Sequence, residues 1–437
     1  MLSRLVVVAL IVGLTVGVVL RTPMNRKESL DAKLFREKRF HELRVLNRVR
    51  LANFAKPSIS RFASARQPLY DYADQVYNIK IHIGTPPQEI EVIPDTGETD
   101  TWVVDKTCNS SASYYDCPNY CFTNKQWCAL FCESYCCPTN STFAAEFADF
   151  GDPCAGKTLF DSTVSSTYQS TNKEFRIPIG LGNISGIVGQ DTLILGDPQG
   201  GSTIQLQNTN FGQANRLSVS YTGAKFNGIL GLGFPAGSFD GTVPVFQHGI
   251  DIGAFDEPVF TIWLQKEGAQ ASDKSAGALT FGGRDTDHCS SNITFIPLVS
   301  QSIWWFNIKG AAANDKVTTG NFVSIASLPT PFILVNPQMM TDLVDVTSAD
   351  YDWDLGFYQV DCSVKFTWTV LVDDQTKLQL DEADLLMHFP NAQCYLPFVT
   401  YGGGVMEIDV VLGLPFVEKY CQTYDYANSR IGFSQTL

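Results

Sequence analysis

The stretch Glu89-Ile-Glu-Val-Ile-Pro-Asp95-Thr-Gly-Glu-Thr-Asp-Thr-Trp102 decides how this chain is read. Its first half alternates acidic and apolar residues, the pattern of a strand with one buried face. It then runs into Asp95-Thr96-Gly97, where the glycine marks a turn. Just upstream, Tyr77-Asn-Ile-Lys-Ile-His-Ile-Gly84 alternates in the same way, and Thr85-Pro-Pro-Gln88 is the turn between the two runs. Two neighbouring strands therefore carry a carboxylate onto a loop.

The rest of the chain continues in that style. With 437 residues, 44% hydrophobic and 17% charged, it is long enough to bury a large core and fill two lobes. Its 34 glycines and 21 prolines separate short runs of Val, Ile, Thr, Phe and Tyr, which favours many short strands. Such runs fall at 175–179, 187–196, 203–207, 226–234, 259–264, 278–282, 293–298, 304–309, 322–328, 358–370 and 376–380. Short helices are expected at 243–250, 336–346 and 381–387. Lys27 to Ala55 also reads as helix, and a Pro/Ser/Arg-rich linker follows it to about Gln67.

The N-terminus points to export. Residues 5–20 are an unbroken apolar run after Arg4. As a helix they span roughly 24 Å, short of the ~30 Å bilayer core. The run reads as an export signal cleaved near Thr15-Val16-Gly17, with an uncleaved anchor as the alternative. Twelve cysteines suit an oxidising compartment. N-x-S/T sequons at Asn109, Asn140, Asn183 and Asn292 are glycosylation candidates on the same route. Eight of the cysteines crowd into 108–154. They allow about a hundred pairings, so sequence cannot choose among them. A disulfide-stapled insertion is expected there, with zinc ligation as the rival reading.

Charge is split along the chain. Residues 21–66 hold 13 basic and 4 acidic residues, whereas 67–437 hold 17 basic and 41 acidic. A basic segment ahead of an acidic body suggests pairing within the chain rather than nucleic-acid binding, a disordered tail being the alternative.

Further motifs recur in order: Phe226-Asn-Gly-Ile-Leu-Gly-Leu-Gly-Phe234, Val410-Val-Leu-Gly413 and Tyr424-Asp-Tyr-Ala-Asn-Ser-Arg-Ile-Gly-Phe433. With Asp95-Thr96-Gly97 and Trp102, they make residues 70–437, the Cys-rich insertion apart, resemble the pepsin-like aspartic proteases. The resemblance implies a mainly β, two-lobed pepsin-like double-ψ β-barrel fold, with a deep interlobe cleft and few short helices. It implies a signal peptide or anchor at 1–20 and a basic pro-segment at 21–66 over the cleft. An N-terminal lobe would cover 67–235, including the insertion, and a C-terminal lobe 236–437. It also implies a disulfide Cys362–Cys394, which leaves Cys289 with Cys421. A monomer without metal or cofactor is expected, in a secreted or lysosome-like setting.

In such a site two facing carboxylates share a proton. One takes a proton from the attacking water while the other polarises the scissile carbonyl. Asp95 is the first of these, and Thr96 and Gly97 complete its loop. The second lobe offers Ile325-Ala-Ser-Leu-Pro-Thr-Pro-Phe-Ile-Leu-Val-Asn-Pro337. Counting back from Asn336-Pro337 puts Leu328 at the acid position, and a one-residue slip puts Ser327 there. No Asp or Glu occurs from Lys316 to Thr341. The flap hairpin matches Phe175 to Asn183, with Ile179 where the family has Tyr and Gly180 beside it. The Ser after the first D-T-G is Glu98, and the later L-G-D is Leu412-Gly413-Leu414.

Three readings follow. The chain is a homologue without hydrolysis, with a groove for a peptide or protein. Alternatively it is an active endopeptidase that finds another acid, for which Glu98 is the candidate. Or it is a scaffold presenting the insertion.

Overall fold

A computed structural model describes residues 19–27, 76–108, 152–179, 182–196, 203–217, 221, 226–239, 241–265, 275–330, 332–353, 356–388, 393–401 and 408–437. Strands dominate, and the described helices are short. The helix expected over Lys27 to Ala55 and the apolar run 5–20 lie outside the described residues, apart from Val19 and Leu20 of the run and Lys27, which ends a strand. Most of the Cys-rich insertion and the sequons at Asn109 and Asn140 also lie outside them. Among the described residues, no helix is long and apolar enough to cross a membrane.

The first lobe closes on itself. Strands Val76–Ile83, Gln88–Asp95, Gly228–Gly231, Trp102–Val104, Thr203–Arg216 and Gly182–Gly196 pair in that order, and the last returns to pair with the first. Alternation explains the inner wall, where Ile79, Ile81 and Ile83 are fully buried and Lys80 faces out. Asn78 and His82 break the expected pattern, because both are buried. Asn78 lies beneath a further strand, Leu20–Lys27, whose Asn25 is its ladder partner.

The second lobe repeats the plan as an open sheet of seven strands. One side of it runs through Lys316–Ala326, Val410–Leu412 and Ile333–Val335 to Phe398–Thr400 at the edge. The expected strand at 358–370 is two strands, Phe357–Val360 and Thr367–Leu371, because a turn at Asp361 interrupts it. Helices form at Val245–Asp251, Pro337–Thr347 and Glu382–Leu385. A fourth, Leu414–Lys419, was not foreseen. Asn336 caps the second of these through its side chain, which accepts from the Met339 N–H.

A boundary at 235/236 is not where the sheets divide. Val259–Leu264, Ser275–Phe281 and Thr294–Pro297 belong to the same 13-stranded sheet as the first lobe, and so do the C-terminal strands Tyr420–Asp425 and Arg430–Gln435. The turn residues around Phe234 and Pro235 end a strand, but the chain then returns to the same sheet. The described disulfides are Cys108–Cys154, Cys289–Cys421 and Cys362–Cys394, with Cα separations of 5.9, 5.9 and 5.2 Å. All three lie within the usual bridging range.

A boundary at residue 20 also cuts a strand. Leu20–Lys27 sits between Val76–Ile83 and Ser275–Phe281 and is antiparallel to both. Leu20, Thr22 and Met24 face inward and are buried, while Arg21 and Pro23 face out. Arg21 Nη2 donates to Asp285 Oδ1 at 2.8 Å, and Nη1 donates to Asp287 Oδ2 at 2.5 Å. The Asp285 side chain has no exposure, so its charge depends on this guanidinium and on the His288 ring at 2.9 Å. Arg21→Ala is therefore expected to destabilise the protein by about 1–3 kcal/mol, read as a lower midpoint in urea. Asp287→Ala, at the exposed arm of the clamp, is expected to move that midpoint much less.

Candidate functional site

The two lobes present matching strand crossings, and their registers can be compared residue by residue. In the first lobe, Ile93, Pro94 and Asp95 pair in parallel with Ile229, Leu230 and Gly231, and Trp102 pairs with Ile229. In the second, Ile325 and Ala326 pair in parallel with Val411 and Leu412, and Leu334 pairs with Val411. Ile229-Leu-Gly231 corresponds to Val411-Leu-Gly413. Ile93, Pro94 and Trp102 then correspond to Ile325, Ala326 and Leu334. The residue that corresponds to Asp95 is Ser327, whose N–H donates to the Leu412 carbonyl at 2.9 Å.

This corrects the register that placed Leu328 opposite Asp95. Counting back from Asn336 misses by one, because the pairing of Ala326 with Leu412, not the helix cap, fixes the register. Leu328 is 2% exposed and belongs to the hydrophobic core. Ser327 Oγ lies 2.7 Å from Thr330 Oγ1. The position that corresponds to Asp95 thus carries a hydroxyl that a neighbouring hydroxyl engages.

The first loop keeps its hydrogen bonds. Asp95 is buried, and its Oδ1 accepts the Gly97 N–H at 2.8 Å. The Asp95 carbonyl accepts from Leu232 N at 3.0 Å. Thr96 Oγ1 reaches across the lobes and donates to the Ala326 carbonyl at 3.1 Å. Tyr424, on the C-terminal strand, hydrogen-bonds Thr96 through its side chain. Burial pushes the Tyr424 phenol well above its ordinary range, and the Asp95 charge adds to this while the Thr96 bond opposes it. The phenol therefore stays neutral behind the loop.

The second loop has lost the corresponding bonds. The residue matching Gly97 is Pro329, which has no N–H to give. The residue matching Thr96 is Leu328, which has no hydroxyl to return the cross-lobe bond. The Leu414 N–H, counterpart of Leu232 N–H, goes to the Thr330 carbonyl at 2.8 Å rather than to that of Ser327. The backbone path of the loop differs as well as its side chains. Gly231 and Gly413 remain equivalent, since a Cβ on either would strike carbonyls of its lobe's loop.

The other candidate residues distribute as follows. Ile179 ends the strand Gln169–Ile179 and pairs with Gly182, so the flap is a hairpin, while Gly180 lies outside the described residues. Asn183 lies on the returning strand, and Asn292 is exposed. Trp102 is 1% exposed and packs with Phe175, Ile177 and Ile184 of the flap strands. Glu98 is buried at 1% exposure, and its carbonyl accepts from Gly233 N at 2.8 Å. Leu414 begins the helix Leu414–Lys419 and packs in the core. Sequence reasoning missed Tyr424 and the Ser327–Thr330 pair. Tyr424 lay in plain view within the C-terminal motif, but only the fold brings it to Thr96.

The lobe junction should report on Thr96. Thr96→Val keeps the shape but removes the donor to Ala326, leaving a buried carbonyl unpaired. A loss of about 1–3 kcal/mol is expected, measured by denaturant unfolding with an unchanged dependence on denaturant.

Comparison with known proteins agrees with this geometry. The family model described as Eukaryotic aspartyl protease matches residues 76–436. Aspartic protease 1 of Caenorhabditis elegans is 29% identical over 100% of this chain and 99% of its own length. Aspartic protease 2 of Necator americanus is 30% identical over 84% and 85%. Cathepsin E of Mus musculus is 26% identical over 96% and 95%. With matching crossings in both lobes and a family match across nearly all of the described body, this chain belongs to the eukaryotic aspartyl protease family.

Proposed function

We propose that this protein is a pepsin-like homologue of the secretory route that does not hydrolyse peptide bonds, and that its interlobe groove binds a peptide or protein. The observation that carries the reading is Ser327, set by strand register at the place that corresponds to Asp95. A hydroxyl cannot share a proton with a carboxylate as a second carboxylate does. The general base then lacks its acid, and the attacking water lacks one of its two holders. Pro329 deepens the loss, since restoring an acid at 327 alone would not restore the N–H that Gly97 supplies in the first lobe.

The basic segment 21–66 has the charge to lie over the acidic body, and a protein without hydrolysis does not remove that segment itself. Export is supported by the apolar run 5–20 and by the cysteine content.

A second reading rests on Glu98, the buried acid beside Asp95. It is weaker, because Glu98 rides on the same loop as Asp95 rather than on the opposite lobe.

The full-length protein incubated with an unfolded protein substrate at acid pH is expected to leave that substrate intact. Cleavage that disappears in Asp95→Asn would overturn the proposal, and its further loss in Glu98→Gln would assign the second acid. Binding of unfolded polypeptide is expected to persist when residues 109–153 are deleted. Binding lost with that deletion would move the function to the insertion.

A further inference from the structure

A small sheet in the second lobe holds an asymmetric disulfide. Its four strands are Asp350–Asp352, Phe357–Val360, Cys394–Tyr395 and Met387–His388. Cys394 pairs with Val360 on one side and with His388 on the other. Cys362 follows two residues after Val360, on the turn, and bonds to Cys394.

The two halves of the bond meet different surroundings. Cys394 has 0% exposure, whereas Cys362 is exposed. His388 is also exposed, and its Nδ1 lies 3.2 Å from Cys394 Sγ. No half of the other described disulfides is exposed in this way. Cys289, Cys421 and Cys154 are 7%, 0% and 9% exposed, and Cys108 is half-buried. The donor set of two sulfurs and one imidazole would suit a metal, but the sulfurs are joined to each other.

Thiol–disulfide exchange needs a thiolate to approach one sulfur along the line of the S–S bond while the other sulfur leaves. Cys362 is exposed whereas Cys394 is buried, so an external thiolate meets the Cys362 side of the bond first. Attack on Cys362 makes Cys394 the leaving group. A thiolate released into a buried place is normally a poor leaving group. Here His388 Nδ1 lies 3.2 Å from that sulfur, where the tautomer with its proton on Nδ1 would donate to it.

We propose that Cys362–Cys394 is a thiol-exchange site, in which a small external thiol adds to Cys362 and Cys394 departs as a thiolate held by His388. The thiol first loses its proton to solvent. Its sulfur then bonds to Cys362 Sγ, the Cys362–Cys394 bond breaks, and the electron pair goes to Cys394 Sγ. The product is a mixed disulfide on Cys362 and one free thiolate. A second thiolate attacks the adduct sulfur, its bond to Cys362 breaks, Cys362 leaves as a thiolate, and the two external thiols depart as a symmetrical disulfide, which completes a two-electron reduction.

The test treats the native full-length protein with reduced glutathione, quenches with acid, then unfolds and alkylates before peptide mapping. The expected result is glutathione on Cys362 and the alkyl group on Cys394, with Cys289 still bonded to Cys421. His388→Ala is expected to slow adduct formation about three- to tenfold, because a hydrogen bond to a charged leaving group is lost. Glutathione on Cys394, opening of Cys289–Cys421 ahead of this bond, or an unchanged rate in His388→Ala would each overturn the proposal.

Discussion

The structure depends on two strand crossings held in register, and a hydrogen bond from Thr96 Oγ1 to the Ala326 carbonyl ties one crossing to the other. A buried carbonyl left without a donor is strongly unfavourable, so this bond favours keeping the two crossings together. Around it the two crossings share a plan, in which a strand pairs in parallel with a short strand that also pairs antiparallel with the next. The aromatic layer behind the loops serves the same junction. Tyr424 stacks on Phe260 at 4.5 Å and meets Trp304 edge-on at 5.0 Å, and Trp304 Nε1 donates to the Leu232 carbonyl.

That plan separates what the fold requires from what the chemistry requires. The fold needs the parallel pairing, the glycines at 231 and 413 where the loop carbonyls press close, and one polar tie between the lobes. All of these are present. The chemistry needs a second acid, a backbone N–H at residue 329 and a hydroxyl at residue 328, and the loop carries Ser, Pro and Leu at 327, 329 and 328. Leu328 contributes apolar burial in place of a hydrogen bond. Hydrocarbon packing can hold a lobe together without supplying a polar site, so the fold and the chemistry place separate demands on the same loop.

Much of this was legible in the sequence, for local reasons. Period-two alternation located the strands around Tyr77 to Asp95, and Asn336-Pro337 located a helix start. The absence of an acid between Lys316 and Thr341 needed no structure. The register across the second loop did need one, because a helix cap nine residues past Ser327 is a poor ruler for a position that strand pairing fixes. Only the ladder from Ala326 to Leu412 settles it. Long-range contacts were equally hidden, since nothing local ties Arg21 to Asp285 across 264 positions, or Tyr424 to Thr96. The strand at Leu20–Lys27 was masked in another way, because its buried positions include Thr22 and its exposed ones include Pro23.

That strand changes what the N-terminal segment is for. Read from charge alone, residues 21–66 are a basic cover for an acidic body. In the fold, the first residues of the segment are the link between Val76–Ile83 and Ser275–Phe281, so among the described residues the 13-stranded sheet is continuous only through them. Taking them away would leave two unpaired edges, expose the sites of Leu20 and Met24, and strip Asp285 of the guanidinium that balances its buried charge. A segment with those duties cannot be lost as a simple lid is lost. Any event that removes it must either supply another strand for the same slot or accept a sheet divided between the lobes.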